Sequence, residues 1–195
     1  MDIVDYPELP QKERILKIAA QLFAKRGFHA VGMSDLQDAV KLGRGALYHH
    51  IRSKEDLLYE ISREYIRDLA QSAAQLLVEV RDPSERVQRL GTYLVRKIAS
   101  HQAELTVCFR EIQSLTEPRL SEVLEYHSKY ERAWRDTMVD GADAGQFRPY
   151  DHVTLKAVLG MYFYGYLWMT PGRAPTAEVI AERVNELALR MLKAA

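Results

Sequence analysis

One stretch near the N-terminus decides the fold of this chain, and it reads Arg44-Gly-Ala-Leu-Tyr-His-His-Ile-Arg-Ser-Lys-Glu-Asp-Leu-Leu58. Its first half is about two helical turns long and places Leu47 and Ile51 four residues apart, on one face. Ser53 is followed three residues later by Asp56, which is the pattern of a capping box at a helix start. The stretch therefore predicts a short helix with a polar face, a break, and a long helix that runs to about Val80.

Two further helices are predicted upstream of this stretch. Apolar residues recur at helical spacing from Ile15 to Phe23, which indicates an amphipathic helix from near Pro10 to Gly27. A short helix follows at residues 32–40, capped by either Gly32 or Ser34, a choice that the sequence leaves open. Three short helices, the last two joined by a glycine-containing turn, are typical of a helix-turn-helix.

Helical periodicity continues through the rest of the chain, and no segment shows the alternation of a β-strand. Breaks are expected at residues 101–102, 116–118, 141–149 and 171–175, with Ser84 and Thr176 as helix caps. We predict an all-α fold of about nine helices. A helix-turn-helix domain is expected at residues 1–53, and a larger helical domain at residues 54–195.

The formal charge is zero, with 27 Lys plus Arg and 27 Asp plus Glu, but it is unevenly distributed. Basic residues outnumber acidic ones between Pro10 and Lys54, and acidic residues outnumber basic ones elsewhere. This asymmetry favours a nucleic-acid partner for the N-terminal region, with chance clustering as the alternative.

The chain shows no signal for secretion or for the membrane. The start of the sequence lacks the basic and apolar blocks of a signal peptide. The apolar run at residues 157–169 is shorter than the roughly twenty residues that span a bilayer. Cys108 is the single cysteine, which suggests a reducing compartment. We expect a cytoplasmic protein without a membrane partner.

The short helix that begins near Arg44 is expected to enter the major groove of double-stranded DNA. Arg44 suits a guanine edge or a phosphate, and Tyr48 and Lys54 suit phosphate oxygens. Glycines allow the backbone to approach DNA closely. The predicted DNA-binding residues are Met33, Lys41, Gly43, Arg44, Gly45, Ala46, Tyr48, His49 and Lys54. The alternative is an aromatic corner of Tyr48, His49 and His50 packed between helices, which we favour for His50.

At these residues the sequence resembles the TetR family of bacterial transcriptional regulators. The resemblance rests on Phe23-Ala-Lys-Arg-Gly-Phe, Met33-Ser-Asp-Leu and Gly45-Ala-Leu-Tyr-His-His-Ile-Arg-Ser-Lys-Glu-Asp-Leu-Leu, within residues 14–61. It implies a homodimer, usually a repressor, that reads a palindromic operator and is released by a small effector. The sequence departs from the family at Lys41, Gly43 and Ala46, where Gly, Ser and Thr are usual.

The C-terminal region contains candidate surfaces for a second copy and for a ligand. The apolar segment at residues 158–169 and the last helix predict a twofold four-helix interface, with an intramolecular core as the alternative. The predicted interface residues are Met161, Tyr162, Tyr166, Val184, Leu187 and Met191. The predicted walls of an apolar effector pocket are Tyr93, Ile98, Phe109, Tyr126, Tyr130, Trp134 and Phe163.

Parts of this region resemble the TetR branch that controls fatty-acid and sterol breakdown. They include Glu125-Tyr-His-Ser-Lys-Tyr-Glu-Arg-Ala-Trp and Asp140-Gly-Ala-Asp-Ala-Gly-Gln-Phe. The resemblance implies a hydrophobic effector such as an acyl-coenzyme A thioester.

Catalytic and metal-binding patterns are not apparent in the sequence. The histidines lack ligand spacing, and neither a phosphate loop nor a nucleophile elbow is present. We therefore expect no enzyme, metal or cofactor. The rival functions are an all-α ligand carrier or enzyme that retains a helix-turn-helix head, and a structural adaptor.

Overall fold

A computed structural model describes residues 3–170 and 172–194, and this part of the chain contains nine α-helices. They are α1 (Gln11–Arg26), α2 (Met33–Val40), α3 (Arg44–His50), α4 (Lys54–Glu79), α5 (Pro83–Ser100), α6 (Gln102–Glu111), α7 (Arg119–Asp143), α8 (His152–Phe163) and α9 (Ala177–Leu192). Short 3-10 segments follow α6 at Ile112–Ser114 and α8 at Tyr164–Leu167. The predicted all-α fold is confirmed. Within the described ranges, no helix is both long enough and apolar enough to cross a bilayer.

The observed helix caps agree with the predicted ones, except at the start of α5. Gly32 is the N-cap of α2, and its amide donates to the Asp35 carboxylate at 2.7 Å, which settles the choice against Ser34. Thr176 caps α9 as predicted. Ser84 is not the cap of α5. Asp82 accepts a hydrogen bond from the Glu85 amide instead, because proline at position 83 is the first helical residue.

The predicted breaks coincide with the observed ones, although Pro171 of the last break and the first two residues of the N-terminal stretch lie outside the described residues. The apolar segment at residues 158–169 is less regular than expected. Its α-helical part ends at Phe163 and continues as the 3-10 segment.

Contacts divide the chain into two compact units, and their boundary differs from the expected one at residue 53. The first unit contains the residues up to Ile66 together with Ala103–Glu125. The second contains Arg67–Gln102 and the chain from Tyr126 onward. The first unit extends beyond residue 53 because α4 is bound to the start of α7, where Arg63 pairs with Glu122 at 2.8 Å and Arg119 pairs with Asp56.

In the second unit, α5, α8 and α9 meet around the side chain of Asn185. Its carbonyl oxygen accepts from the Tyr162 hydroxyl at 2.7 Å, and its amide donates to Thr92 Oγ1 at 2.9 Å and to the Gln88 carbonyl at 3.1 Å. Gly91 allows this close approach. A Cβ at that position would lie 2.2 Å from Asn185 Oδ1 and 2.4 Å from the Tyr162 hydroxyl.

The Gly91→Ala substitution is expected to lower the free energy of unfolding by about 1–3 kcal/mol, because the methyl group displaces a buried hydrogen-bonded pair. Gly45→Ala is the matched control, since a Cβ at that helical position meets no atom within 4 Å. The control is expected to raise stability by about 0.5–1 kcal/mol. Urea denaturation followed by circular dichroism measures both changes, and equal stability of the two variants would contradict the packing described.

Candidate nucleic-acid interface and effector site

Helix α3 buries one edge and exposes the rest. The Leu47 side chain is 0% exposed and that of Ile51 is 5% exposed, as the four-residue spacing predicts. The exposed residues are Arg44, Gly45, Ala46, Tyr48 and His49. His50 is half-buried, with its ring 5.3 Å from that of His49. The Arg44 guanidinium lies 5.6 Å from the centre of the Tyr48 ring. The face therefore offers a cation, an aromatic hydroxyl and an imidazole to a partner.

The turn between α2 and α3 holds a lysine in a conformation that favours glycine. Lys41 has φ 56° and ψ 42°, which places it in the left-handed region at the end of α2. A non-glycine residue there costs about 1–2 kcal/mol. The Lys41 side chain is exposed, so its charge is presented beside the start of α3.

Glycine is not required by the fold at positions 43 and 45. A Cβ at Gly43 or Gly45 would meet no atom within 4 Å, and neither residue has a positive φ. Both residues are exposed, so the start of α3 presents bare backbone to its surroundings. Met33, the first residue of α2, is half-buried.

Lys54, which was predicted to contact DNA phosphates, is hydrogen-bonded within the first unit. Its ammonium group donates to the carbonyl oxygens of Phe28 at 2.7 Å and Val31 at 2.9 Å, and it lies 4.3 Å from the centre of the Phe28 ring. These contacts tie the α1–α2 loop to the start of α4. Because the ammonium is already hydrogen-bonded inside the first unit, the structure gives Lys54 a positioning role rather than a phosphate contact.

The amides before α4 are also occupied. Asp56 accepts from the Arg52 amide at 3.0 Å and the Ser53 amide at 2.8 Å, and Ser53 Oγ accepts from the Asp56 amide at 3.1 Å. This reciprocal pair is the predicted capping box. It leaves these two amides unavailable to an external anion.

Part of the basic surplus is neutralised within the first unit. Lys12 pairs with Glu60, Arg14 with Asp5, Lys17 with Glu104, and Arg26 with Asp35. Four other basic side chains are exposed and form no ion pair within the described part of the chain. They are Lys25, Lys41, Arg44 and Arg52. The positive charge available to a partner thus includes the turn and the start of α3.

The second unit contains an aromatic cluster built on α7. Trp134 is fully buried and Tyr130 is 3% exposed. The Tyr130 ring lies 6.1 Å from Phe163 and 6.5 Å from Trp134, and Trp134 lies 5.3 Å from Tyr162. Tyr126 is half-buried, with the Lys129 ammonium 5.1 Å from its ring centre.

Two other predicted pocket residues occupy different surroundings. Ile98 is fully buried on α5 in the second unit. Phe109 belongs to the first unit and is 46% exposed. The sequence predicted Phe109 as a pocket wall, but α6 is a short helix that buries Leu105, Val107 and Cys108 instead. The structure therefore does not support Phe109 as a wall of the predicted pocket.

Tyr93 lines a surface groove of about 410 Å³ in the second unit, together with Ser72, Leu76, Gln88, Arg89 and Arg96. Its hydroxyl donates to Asp68 at 2.7 Å, and Lys97 pairs with the same carboxylate at 2.9 Å. Burial would raise the pKa of Asp68, but the hydrogen bonds from Lys97 and Tyr93 lower it overall. The groove thus has an aromatic, hydrogen-bonded wall, a carboxylate at Glu79, and two arginines that are ion-paired, Arg89 with Glu85 at 2.6 Å and Arg96 with Glu178 at 3.6 Å.

Three buried polar atoms lie on α7, and a side-chain hydrogen bond joins two of them, those of Tyr130 and Trp134. They are the Tyr130 hydroxyl, the Trp134 indole nitrogen and His127 Nε2. Their spacing of three and four residues puts them on one helical face. The sequence analysis noted only that the histidines lack metal-ligand spacing, although the spacing of His127 from Tyr130 and Trp134 was available to indicate a shared face.

The predicted interface residues separate into buried and exposed groups. Tyr162 is 1% exposed and bonded to Asn185, so it belongs to the intramolecular core and its predicted interface role is wrong. Leu187 is 54% exposed. Met161, Tyr166, Val184 and Met191 are half-buried.

The second unit exposes further apolar residues. On α8 they are Val153, Ala157 and Gly160, followed by Tyr164 at helical spacing. Leu167 and Trp168 are also about half-exposed. Isolated exposed apolar residues are common, but a series at helical spacing on one helix indicates an interaction surface.

Three short helices, a tight turn between α2 and α3, and the exposed face of α3 define a helix-turn-helix DNA-binding protein. Comparison with known proteins gives the family. The description "Bacterial regulatory proteins, tetR family" matches residues 15–61, and "Tetracyclin repressor-like, C-terminal domain" matches residues 80–192, more than half of the chain. The chain belongs to the TetR family of transcriptional regulators.

Individual relatives cover nearly the whole chain. The transcriptional repressor KstR2 of Mycobacterium tuberculosis H37Rv is 28% identical over 92% of this chain and 91% of that protein. The structure of that organism's ketosteroid regulator KstR2 has a TM-score of 0.89 and 25% identity over 100% of both chains.

Two further solved structures are similar. PfmR, a TetR family regulator of Thermus thermophilus, has a TM-score of 0.84 and 32% identity over 93% of this chain and 100% of that chain. AibR in complex with isovaleryl coenzyme A and operator DNA has a TM-score of 0.79 and 25% identity, over 92% and 98% of the two chains.

Lys54→Met is expected to lower the free energy of unfolding by about 1–3 kcal/mol, because two carbonyl oxygens lose a charged donor while the aliphatic stem is kept. Lys25→Met is the matched control, since Lys25 is exposed and forms no ion pair in the described part of the chain. Urea denaturation compares the two variants. A Lys54→Met protein as stable as the control would show that the loop is not held by this ammonium group.

Proposed function

We propose that the chain is a homodimeric repressor that binds a palindromic operator and releases it when a small hydrophobic effector binds, with an acyl-coenzyme A thioester as the effector class. The observation that carries the proposal is the exposed face of α3, where Arg44, Tyr48 and His49 stand beside the unpaired Lys41. The protein would act in the cytoplasm.

The exposed face of α3 suits the major groove of DNA. Arg44 is the first residue of the helix, where a guanidinium reaches a guanine edge or a phosphate oxygen. Lys41 precedes it on the turn and supplies a phosphate contact. The open space around Gly43 and Gly45 allows the backbone to approach the DNA closely.

A second copy of the chain supplies the symmetry that a palindromic operator requires. The exposed residues of α8 and α9, including Val153, Gly160 and Leu187, form the surface that we assign to a twofold four-helix interface. The two α3 helices would then be about 34–36 Å apart to enter successive major grooves.

The effector is assigned to the second unit. Its groove combines the aromatic wall at Tyr93 with Arg89 and Arg96, which pair with Glu85 and Glu178 at the surface. An anionic ligand group would replace these weak exposed pairs, while an apolar part contacts the aromatic wall. The coenzyme A ligand in the name of the AibR complex supports the thioester class. An effector that binds one form of the dimer more tightly weakens DNA binding by that difference in affinity.

Arg44→Ala is expected to weaken operator binding and to reduce the preference over unrelated DNA by about ten-fold or more, because a good base contact contributes roughly 1–3 kcal/mol. Fluorescence anisotropy with the DNA upstream of the protein's own gene and with a scrambled duplex measures this ratio over a series of salt concentrations. Lys25→Ala is the control, because Lys25 is exposed and basic but lies outside the helix-turn-helix.

In the same assay, Gly45→Ala should weaken operator binding although it stabilises the fold. Micromolar binding that is equal for both duplexes in the unmodified protein would refute the repressor function. A full sequence preference in Arg44→Ala would refute the assigned DNA-contacting face.

Leu187→Glu is expected to produce a monomer at micromolar concentration, because it places a charge in the proposed apolar interface. Operator binding should fall with it, while helical content is retained. Val78→Glu is the matched control, since Val78 is 85% exposed and lies on α4, outside that surface. Sedimentation velocity distinguishes the states, and a Leu187→Glu protein that remains dimeric would exclude this surface as the interface.

A further inference from the structure

The segment that precedes α1 is held against that helix by hydrogen bonds from two of its side chains. Gln21 accepts from the Val4 amide at 2.7 Å and donates to the Val4 carbonyl at 2.9 Å. Arg14 donates to both oxygens of the Asp5 carboxylate, from Nε at 2.6 Å and from Nη2 at 2.9 Å. Residues 3–10, which form a loop and a turn, are thereby fixed beside α1.

The pair of Asp5 and Arg14 differs from the other ion pairs of α1. Two further basic residues of α1 pair with carboxylates on α4 and α6 and so join helices, Lys12 with Glu60 and Lys17 with Glu104. The Asp5 pair joins α1 only to the loop before it, and the Asp5 side chain is 38% exposed. Because an ion pair that is open to solvent contributes little to stability, the main effect of Asp5 is on the charge that this surface presents to a partner.

Asp5 also lies near the turn that leads to α3. The hydrogen bonds from Arg14 hold the pKa of Asp5 below its ordinary value, and the positive charge of Lys41 acts in the same direction. The carboxylate is therefore charged at neutral pH and lies within electrostatic reach of the turn. Asp5 thus places one negative charge beside two cations at the edge of the helix-turn-helix.

We propose that Asp5 weakens the attraction of the helix-turn-helix for DNA phosphates, because its carboxylate occupies Arg14 and opposes the charge of Lys41. This inference rests on the proposed function, since it requires that the face of α3 meet DNA. It adds two residues outside the predicted DNA-contacting set. One is a cation that is withheld from phosphate, and the other is the carboxylate that withholds it.

The effect of Asp5 is expected to be the same on operator DNA and on unrelated DNA. Phosphate contacts carry no sequence information, whereas the base contact proposed for Arg44 does. Each basic group that neutralises a phosphate strengthens binding to every duplex and makes it more sensitive to salt. By withholding one such group, Asp5 reduces the time that the protein spends on the many sites that are not its operator.

Asp5→Asn tests the inference, because it removes the charge and keeps an oxygen that accepts from the Tyr6 amide, as Asp5 does at 2.8 Å. Fluorescence anisotropy of the full-length protein with the scrambled duplex is measured from about 50 to 200 mM salt. The affinity should rise at least about three-fold, and the slope of log affinity against log salt should steepen by about 0.9 for each head that contacts the duplex. The preference for the operator should stay within about two-fold of that of the unmodified protein.

Glu8→Gln is the matched control, because it makes the same change of net charge in the same segment. Glu8 is exposed and forms no ion pair with the residues that the structure describes. Its substitution should change the affinity for the scrambled duplex by less than about two-fold. Equal gains in Glu8→Gln and Asp5→Asn would show that only net charge matters, and would overturn the role assigned to Asp5.

Arg14→Gln in the Asp5→Asn background identifies the cation that is released. The double variant should lose most of the added salt slope, because the side chain that makes the new phosphate contact is absent. A double variant that keeps the full added slope would overturn the assignment to Arg14.

The outcomes separate this inference from the proposed function. Unchanged binding of the scrambled duplex by Asp5→Asn would overturn the inference even in a protein that prefers its operator. An altered operator preference with an unchanged salt slope would also overturn it, because Asp5 would then act on base contacts. A steeper slope in a protein that has no operator preference would support the inference and refute the repressor function.

Discussion

The first unit depends on the hydrogen bonds and the ion pair at the start of α4. Asp56 accepts hydrogen bonds from the amides of Arg52 and Ser53 and pairs with Arg119, and Lys54 binds the carbonyl oxygens of the α1–α2 loop. Burial would raise the pKa of Asp56, but these partners lower it overall, so the carboxylate is charged at neutral pH. The loop, the end of α3 and the beginning of α7 are thereby fixed to one helix end. The exposed face of α3 is oriented by this set of bonds.

The signals that are local in sequence predicted the fold well. The capping box at Ser53 and Asp56, the four-residue spacing of Leu47 and Ile51, and the Thr176 cap each depend on residues within one or two turns. Such signals give the element order and the buried edge of α3. They do not predict which residues distant in sequence contact these elements.

The predictions that failed depended on such distant partners. Lys54 was predicted to suit phosphate oxygens, but its ammonium group donates to carbonyl oxygens 23 and 26 residues away. Tyr162 looked like part of an interface because its helix is apolar on nearly every side. Its hydroxyl is bound by Asn185, 23 residues further on, and Gly91 on a third helix provides the room. Phe109 was predicted as a pocket wall, but α6 buries Leu105, Val107 and Cys108 and leaves Phe109 46% exposed.

The turn before α3 and the start of α3 contain residues that lower the stability of the fold. Lys41 adopts a strained left-handed conformation, and Gly43 and Gly45 leave space that an alanine would fill without a clash. Each feature costs stability, and under the proposed function the contact of α3 with DNA accounts for both.

The central claim is that effector and operator DNA weaken each other's binding to the protein. The most direct test measures the affinity of decanoyl-coenzyme A for the free protein and for the protein saturated with operator DNA. Linkage requires that the operator weaken effector binding by the same factor by which the effector weakens operator binding. The account predicts equal factors of about ten-fold or more in both directions. Effector affinity that is the same with and without operator DNA would contradict it.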